Sequence, residues 1–293
     1  MHVLSFTESV REAKQLAHAL ACPYDTVNIH RFPDGESLIT LPDTLPPTVI
    51  LFRSLDNPDR KLIELYLAIA TARDLGCTRA ILVAPYLCYM RQDTVFAPGQ
   101  GVSQRYIGDL LSSWTDGLVT VDPHLHRIQN LDQALPHSRN KVVSAAPLLG
   151  RFLRTANTKG VLVGPDEESR QWVAQVAQEC GLDYIIARKE RYGDRNVRVT
   201  LPDFDYAGQT AILVDDVISS GTTMIEAAKQ LRMRDSSDVI ALCTHALFAP
   251  GAEEAMRKAG ISQVFSSNAI PHDTNHIDLS ALLADAVASL GSE

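Results

Sequence analysis

Ala211-Ile212-Leu213-Val214 is an apolar run of strand length that meets two acids, Asp215 and Asp216, and then a turn bearing Ser219, Ser220, Gly221, Thr222 and Thr223. Ile225-Glu226-Ala227-Ala228-Lys229-Gln230-Leu231 follows at helical spacing, so the stretch predicts a strand, a phosphate-sized loop and a helix. The first N–H groups of such a helix lack partners within it and point at the loop, where Ser and Thr hydroxyls add donors; an anion is favoured there. Two carboxylates repel a phosphate and need a different partner. Side chains alternate across a strand, so one acid can face ribose hydroxyls or a Mg2+ ion while its neighbour holds the loop. A sugar phosphate offers both kinds of group. Helix capping accounts for the hydroxyls and for neither acid.

Other charged residues collect where apolar runs end. Arg79–Ala84 leads into Pro85-Tyr86-Leu87-Cys88-Tyr89-Met90-Arg91-Gln92-Asp93. There Arg91 offers a charged fork for phosphates, Gln92 a neutral donor and acceptor, and the aromatics a flank for a base; a surface loop closed by a salt bridge has the same composition. Leu118–Val121 leads into Asp122-Pro123-His124-Leu125-His126. An HxH pair suggests zinc, but spacing places no third ligand, which leaves Mg2+ or phosphate contact by His124, or a plain loop histidine. Gly160–Gly164 leads into Pro165-Asp166-Glu167-Glu168-Ser169, acids that also suit the dipole of a following helix. Arg188-Lys189-Glu190-Arg191-Tyr192-Gly193-Asp194-Arg195-Asn196 carries four cations and a glycine. That is the composition of a mobile loop able to close over phosphates, and equally of a solvated face.

The elements that must position these residues alternate. In the first half, strands are expected at His2–Phe6, Thr26–His30, Leu38–Leu41, Thr48–Arg53, Arg79–Ala84 and Leu118–Val121, with a turn over Arg31–Ser37 and helices at Glu8–Leu20, Asp59–Leu75 and Ser103–Trp114, the last with Ser103 as candidate cap. Composition shifts around Asn130–Asn140, and a second alternating segment starts at Lys141–Ser144. It brings strands at Gly160–Gly164, Asp183–Ala187, Val197–Leu201, Val239–His245 and Ser262–Ser266, and helices at Ala146–Thr155, Arg170–Cys180, Ala252–Ala259 and Ser280–Leu290. Such alternation implies parallel sheets of the α/β class, which bind ligands outside the carboxyl ends of their strands.

The length of 293 residues suits two domains, divided here as 1–142 and 143–293. Hydrophobic residues make up 45% and charged residues 21%, enough for two globular cores, and the formal net charge of −8 argues against a general nucleic-acid or membrane-surface binder. An anionic substrate must then be held locally. Cys22, Cys77, Cys88, Cys180 and Cys243 are scattered, with no CxxC, which disfavours disulfide or zinc frameworks. Residues 1–20 lack the pattern of a signal peptide, and no apolar run is long enough to span a bilayer; a cytoplasmic location is expected. No GxxxxGK[ST] or GxGxxG occurs, so a conventional P-loop or Rossmann nucleotide site is missing.

Taken in order, these stretches resemble the ribose-phosphate pyrophosphokinases, nearest to their archaeal-type members. Phe32, Asp34, Gly35 and Glu36 are similar to the family's Phe-x-Asx-Gly-Glu turn, Pro85–Asp93 to its Pro-Tyr-x-x-Tyr-x-Arg-Gln-Asp, and Thr120–His124 to its Thr-Val-Asp-x-His. Gly164-Pro165-Asp166, Lys189-Glu190-Arg191, Asp215–Thr223 and Ser267–Pro271 match later family segments. The resemblance implies two tandem phosphoribosyltransferase-like domains, each a mainly parallel sheet flanked by helices, and transfer of the β,γ-diphosphoryl group of ATP to the 1-hydroxyl of ribose 5-phosphate. By position it implies Lys189 and Arg191 as catalytic, and Asp215, Asp216, Ser219, Ser220, Gly221, Thr222 and Thr223 at ribose 5-phosphate. Phe32, Asp34 and Glu36 of a neighbouring subunit, with Arg91, Gln92 and Asp93, would serve ATP, and His124 and Asp166 would lie at Mg2+. A homo-oligomer, a dimer or a multiple of dimers, is implied as well. A nucleobase phosphoribosyltransferase would share Asp215–Thr223 but needs no first domain with Arg91-Gln92-Asp93. A non-catalytic, synthetase-associated relative has no need of Lys189, Arg191 and His124.

Overall fold

The computed structural model describes residues 1–125, 127–128, 130–136, 138–191 and 197–291, with the backbone alone at 190, 191, 197, 198 and 291. The chain divides into two compact units, Met1–Val143 with Ser280–Glu293, and Ser144–Leu279. The first runs β1 (His2–Ser5), α1 (Val10–Ala19), β2 (Tyr24–Thr26), β3 (Asn28–Arg31), β4 (Ser37–Thr40), β5 (Thr48–Phe52), α2 (Pro58–Asp74), β6 (Arg79–Val83), α3 (Ser103–Trp114), β7 (Gly117–Val121) and β8 (Arg139–Val143). The second runs α4 (Ala146–Thr155), β9 (Val161–Gly164), α5 (Arg170–Cys180), β10 (Tyr184–Ile186), β11 (Arg188–Arg191), β12 (Val197–Thr200), β13 (Thr210–Ile218), α6 (Thr222–Met233), β14 (Asp238–Ala246), α7 (Ala252–Lys258), β15 (Gln263–Ser267) and β16 (Asn275–Ile277). A last helix, α8 (Ser280–Gly291), belongs with the first unit.

Each unit holds a parallel sheet, in the order β2-β1-β5-β6-β7-β8 and β10-β9-β13-β14-β15-β16. In both, the chain makes the second sheet strand, then an antiparallel hairpin outside the sheet, β3–β4 or β11–β12, and only then the third. The two halves therefore repeat one topology. Strands buried on both faces read as continuous apolar runs, and the two-residue period splits them between two cores. In the second unit Val161, Val163, Ala211, Leu213 and Val239 pack with α6 residues Ala227, Ala228 and Leu231 on one side. Leu162, Ile212, Val214, Ile240 and Leu242 meet α4 and α5 through Leu149, Leu153, Val173 and Val176 on the other. In the first unit Leu4, Leu51, Leu82 and Leu118 pack with Leu62, Leu65 and Leu111 of α2 and α3.

Several sequence-based boundaries move, each for a physical reason. The strand expected to stop at Asp215-Asp216 runs on to Ile218, because β14 stays alongside it, with Val217 paired to His245 and Ile218 to Ala246. The strand expected at Thr26–His30 breaks at Val27, which is buried, so that Tyr24–Thr26 joins the sheet and Asn28–Arg31 the hairpin. Ser103 does not cap α3; its hydroxyl donates to the Gln92 side-chain oxygen. Lys141–Val143, expected to open the second half, pairs with β7 and closes the first sheet. The division at 142/143 assigned the final helix to the second half, whereas α8 packs on α1, β7 and β8. Among the described residues no helix is long and apolar enough to cross a membrane.

Candidate active site

In a sheet of this strand order the crevice opens where neighbouring strands send their chains in opposite directions, which in the second unit is the gap between β9 and β13. Asp166 follows β9 and begins a short helical turn, its Oδ1 accepting from the Ser169 N–H at 3.1 Å while the Ser169 hydroxyl donates to the Asp166 carbonyl at 2.6 Å. Its other oxygen, Oδ2, meets Lys189 Nζ of β11 at 2.6 Å, with both side chains largely withdrawn from solvent. Lys189 reaches it because β11 pairs with β12 as a hairpin whose first strand starts beside the crevice. A cleft of about 650 Å³ lies against this pair, lined by Asp166, Glu167, Arg170, Ile186, Arg188 and Lys189 among others. The polar stretch predicted as a loop thus supplies a strand, Arg188–Arg191; residues 192–196 and the side chain of Arg191 lie outside the described residues, as does His126.

From the next strand come the acids. Asp216 is buried, and its side chain and that of Asp215 interact directly with each other. The Asp216 N–H donates to Asp215 Oδ1 at 3.0 Å. Burial pushes the Asp215 carboxyl well above the ordinary carboxylate range, and the negative charges of Asp216 and Asp166 push it further. Beyond Ile218, Ser219 and Ser220 lead to Gly221, whose φ of +71° turns the chain into α6. A side chain there would be strained, and its Cβ would lie 3.0 Å from Met256 Cγ. The Ser220 and Thr222 hydroxyls lie 3.0 Å apart, and the helix's own bonds begin with Ile225 N–H to Gly221 C=O, which leaves the amides of Thr222, Thr223 and Met224 at the loop outside that ladder. The loop has the makings of an anion cradle next to two acids.

These donors fit a hard divalent cation. The acids Asp166, Asp215 and Asp216 influence one another electrostatically, yet among the described residues no three His, Cys, Asp or Glu side chains gather closely enough to cage a metal. Hard divalent ions take carboxylate oxygens together with waters and substrate phosphate oxygens.

The first unit holds the residues expected at a nucleotide, at two places. The β3–β4 turn presents Phe32, Asp34 and Glu36, all exposed. Phe32 N–H donates to the Glu36 carbonyl and Gly35 N–H to the Phe32 carbonyl, both at 2.9 Å, and Glu36 N–H donates to Asp34 Oδ1 at 3.1 Å. After β6, Arg91 is exposed. Gln92 is not comparably available. Its amide nitrogen donates to the Gly101 carbonyl at 2.9 Å and its oxygen accepts from Ser103, so it ties the ends of the 93–101 loop together. Asp93 pairs with Arg127, a partner that motif reading did not supply. The same chain end is tightly turned: Tyr89 has φ +61° and gives its hydroxyl to Asp59, a bond that with burial pushes the phenol up to about 12. Asp122, just before Pro123-His124, has φ +38°, a conformation that surrounding structure must hold. His124 lies half-buried at the end of β7, in the first unit, whereas Asp166 belongs to the second.

At the matching gap of the first sheet, between β1 and β5, the sequence reading missed a constellation. Gly164 ends β9 one residue past the Val163–Leu213 pair, and Asp215 follows two residues past Leu213; Ser5 ends β1 opposite Phe52, and Arg53 follows. Arg53 thus occupies the place of Asp215. It is buried over the Phe6 ring at 3.8 Å and donates to Glu8 at 2.8 Å, Glu64 at 2.6 Å and the Lys61 carbonyl at 3.0 Å. This crevice is filled by its own ion pairs. The only sequence signal is an arginine directly after an apolar strand, which on a surface would be unremarkable.

Two α/β units of one topology, the second with an acid pair leading into a hydroxyl-rich loop, define a tandem protein of phosphoribosyltransferase type. Residues 1–114 match the family model described as N-terminal domain of ribose phosphate pyrophosphokinase, and residues 140–282 that of the phosphoribosyl transferase domain. The ribose-phosphate pyrophosphokinase of Methanopyrus kandleri is 34% identical over 99% of both chains, and that of Sulfolobus acidocaldarius is 33% identical over 85% of this chain and 86% of its own. Phosphoribosylpyrophosphate synthetase from Mycobacterium smegmatis shares the fold, with a TM-score of 0.80 over 99% of this chain and 98% of that one at 23% identity. The chain belongs to the ribose-phosphate pyrophosphokinase family, whose members are transferases.

Proposed function

We propose that this chain transfers the β,γ-diphosphoryl group of ATP to the 1-hydroxyl of ribose 5-phosphate, yielding 5-phosphoribosyl 1-pyrophosphate and AMP. The observation that carries the reading is the Lys189–Asp166 pair beside the Asp215–Thr223 loop, at the strand ends of the second unit. The Ser219–Thr223 turn and the first amides of α6 would hold the 5-phosphate, and Asp215 and Asp216 the ribose hydroxyls. Arg91 would take phosphates of ATP and the Phe32–Glu36 turn its adenine, with Gln92 and Asp93 shaping the loop behind them.

In the transfer the sugar 1-hydroxyl oxygen attacks the β-phosphorus and gives up its proton to solvent, the bond from the β-phosphorus to the oxygen bridging to the α-phosphate breaks so that AMP leaves, and negative charge spreads over the β-phosphate oxygens. Lys189 and Arg191 are assigned to that charge, Lys189 by exchanging its carboxylate partner for phosphate oxygens. Asp166 would hold Mg2+, which when bound would neutralise part of the diphosphate. Exposed Ile63, Tyr66 and Leu38 in the first unit support a homo-oligomer, and five free cysteines support a reducing, cytoplasmic setting.

The test mixes the protein with Mg-ATP and ribose 5-phosphate and identifies the nucleotide product. AMP in equal amount with 5-phosphoribosyl 1-pyrophosphate is expected; ADP as sole product, or no turnover across a range of phosphate and metal concentrations, overturns the proposal.

A further inference from the structure

Glu64 is a glutamate with no solvent exposure, on the inner face of α2, and its two oxygens serve two different arginines. Oε2 accepts from Arg53 at 2.6 Å and Oε1 from Arg31 at 2.7 Å, while Arg60, mostly solvated, stands off at 3.6 Å. Arg53 is fixed on every side, by Glu8, by the Lys61 carbonyl and by the Phe6 ring. The pair Arg53–Glu64 is therefore a rigid, buried post. Arg31 is different: its side chain is 41% exposed, and it is the last residue of β3, joined by one peptide bond to Phe32.

We infer that Glu64 is a positioning residue for the nucleotide, acting through Arg31 to aim the Phe32–Glu36 turn. This rests on the reading of that turn as the adenine contact. Ile29, Ile39 and the flanking Val27 and Leu41 seat the base of the hairpin on the core of the first unit, and the Arg31–Glu64 bond is the polar anchor next to its turn. Its strands stand outside the main sheet, a two-stranded ribbon is marginal alone, and of its strand residues only Ile39 is buried. The turn itself is locked internally by its three hydrogen bonds, so it moves as a unit. A guanidinium held in a charge-assisted bond at the base of such a unit fixes the angle of everything beyond it. A buried ion pair adds little net stability relative to an apolar replacement; specificity of arrangement is what it can contribute, and here the arrangement it specifies carries the three residues assigned to the base.

The experiment measures ATP dissociation by calorimetry, steady-state KM and kcat, and hydrogen exchange over residues 28–40 in wild type, Arg31→Met, Glu64→Gln, the double variant and Arg60→Ala. Arg31→Met leaves Arg53–Glu64 intact and so preserves the core. Expected are a weakening of ATP binding of about tenfold in Arg31→Met and Glu64→Gln, kcat and the KM for ribose 5-phosphate within about twofold, and faster exchange in the hairpin. The double variant should be no worse than the poorer single one, and Arg60→Ala should match wild type. ATP affinity unchanged in Arg31→Met, or weakened together with ribose 5-phosphate affinity, overturns the inference. Wild type that binds ATP but forms no AMP removes the proposed reaction and leaves this test standing; wild type that binds no ATP removes both.

Discussion

Lys189 and Asp166 neutralise one another at 2.6 Å in a crevice that already concentrates Asp215 and Asp216. Removing the lysine leaves Asp166 short of its counter-charge next to two more acids, and deprives the β-phosphate oxygens of a cation when charge develops on them. Lys189→Ala is therefore expected to lower kcat by about 10²–10³-fold, as loss of one well-placed donor does, while ribose 5-phosphate, held by the Ser219–Thr223 turn, still binds. Single-turnover rates and calorimetry separate the two; lost sugar-phosphate binding with turnover retained would contradict the assignment. Motif order marked Lys189 and Asp166 separately, but their pairing across 23 residues was not readable, because it depends on where the β11–β12 hairpin begins. Gln92 shows the opposite limit. Its residue type suits a nucleotide, and only its bonds to Gly101 and Ser103 show that both ends of the amide are in use.

Between strand and helix, the loop after β13 depends on a single backbone conformation. Gly221 has φ +71°, with Met256 behind it. Gly221→Ala combines a left-handed alanine with a 3.0 Å approach to the Met256 side chain, and should cost about 1–2 kcal/mol of stability if Met256 shifts aside. Because the strained residue directly precedes the amides of Thr222 and Thr223, ribose 5-phosphate affinity should fall further than stability alone accounts for. Urea unfolding alongside calorimetry would check this, and equal sugar-phosphate affinity in the variant would show that the loop does not need that turn. The strand–loop–helix was legible because an apolar run, polar turn residues and helical spacing coincide within it. Where β13 stops was not: Val217 and Ile218 favour a strand and find β14 beside them, so the acids sit within the ladder rather than after it. Arg188–Arg191 likewise reads as a solvated loop by composition, and becomes a strand because Val197–Thr200 pairs with it.

Across the whole molecule, the parallel α/β architecture and the number of units follow from alternation and length, whereas the destination of the last helix does not, since amphipathic spacing says only that a face is buried. In α8, Leu283, Ala286, Val287 and Leu290 are buried, Arg79 of β6 donates to the Leu290 carbonyl, and a Cβ at Gly117 of β7 would lie 3.3 Å from Leu290 Cδ1. The end of the chain therefore completes the core of its beginning. Leu283→Ala leaves a cavity in that core and should cost the first unit about 2–5 kcal/mol. The two tryptophans report separately, Trp114 packing on Tyr66 in the first unit and Trp172 lying buried in the second. In a Trp172→Phe background the urea midpoint seen by Trp114 should drop on adding Leu283→Ala, and in a Trp114→Phe background the Trp172 transition should move less. A larger shift at Trp172 would assign the helix to the second unit, as the chain order alone suggested, and would undo the account of how the first sheet is covered.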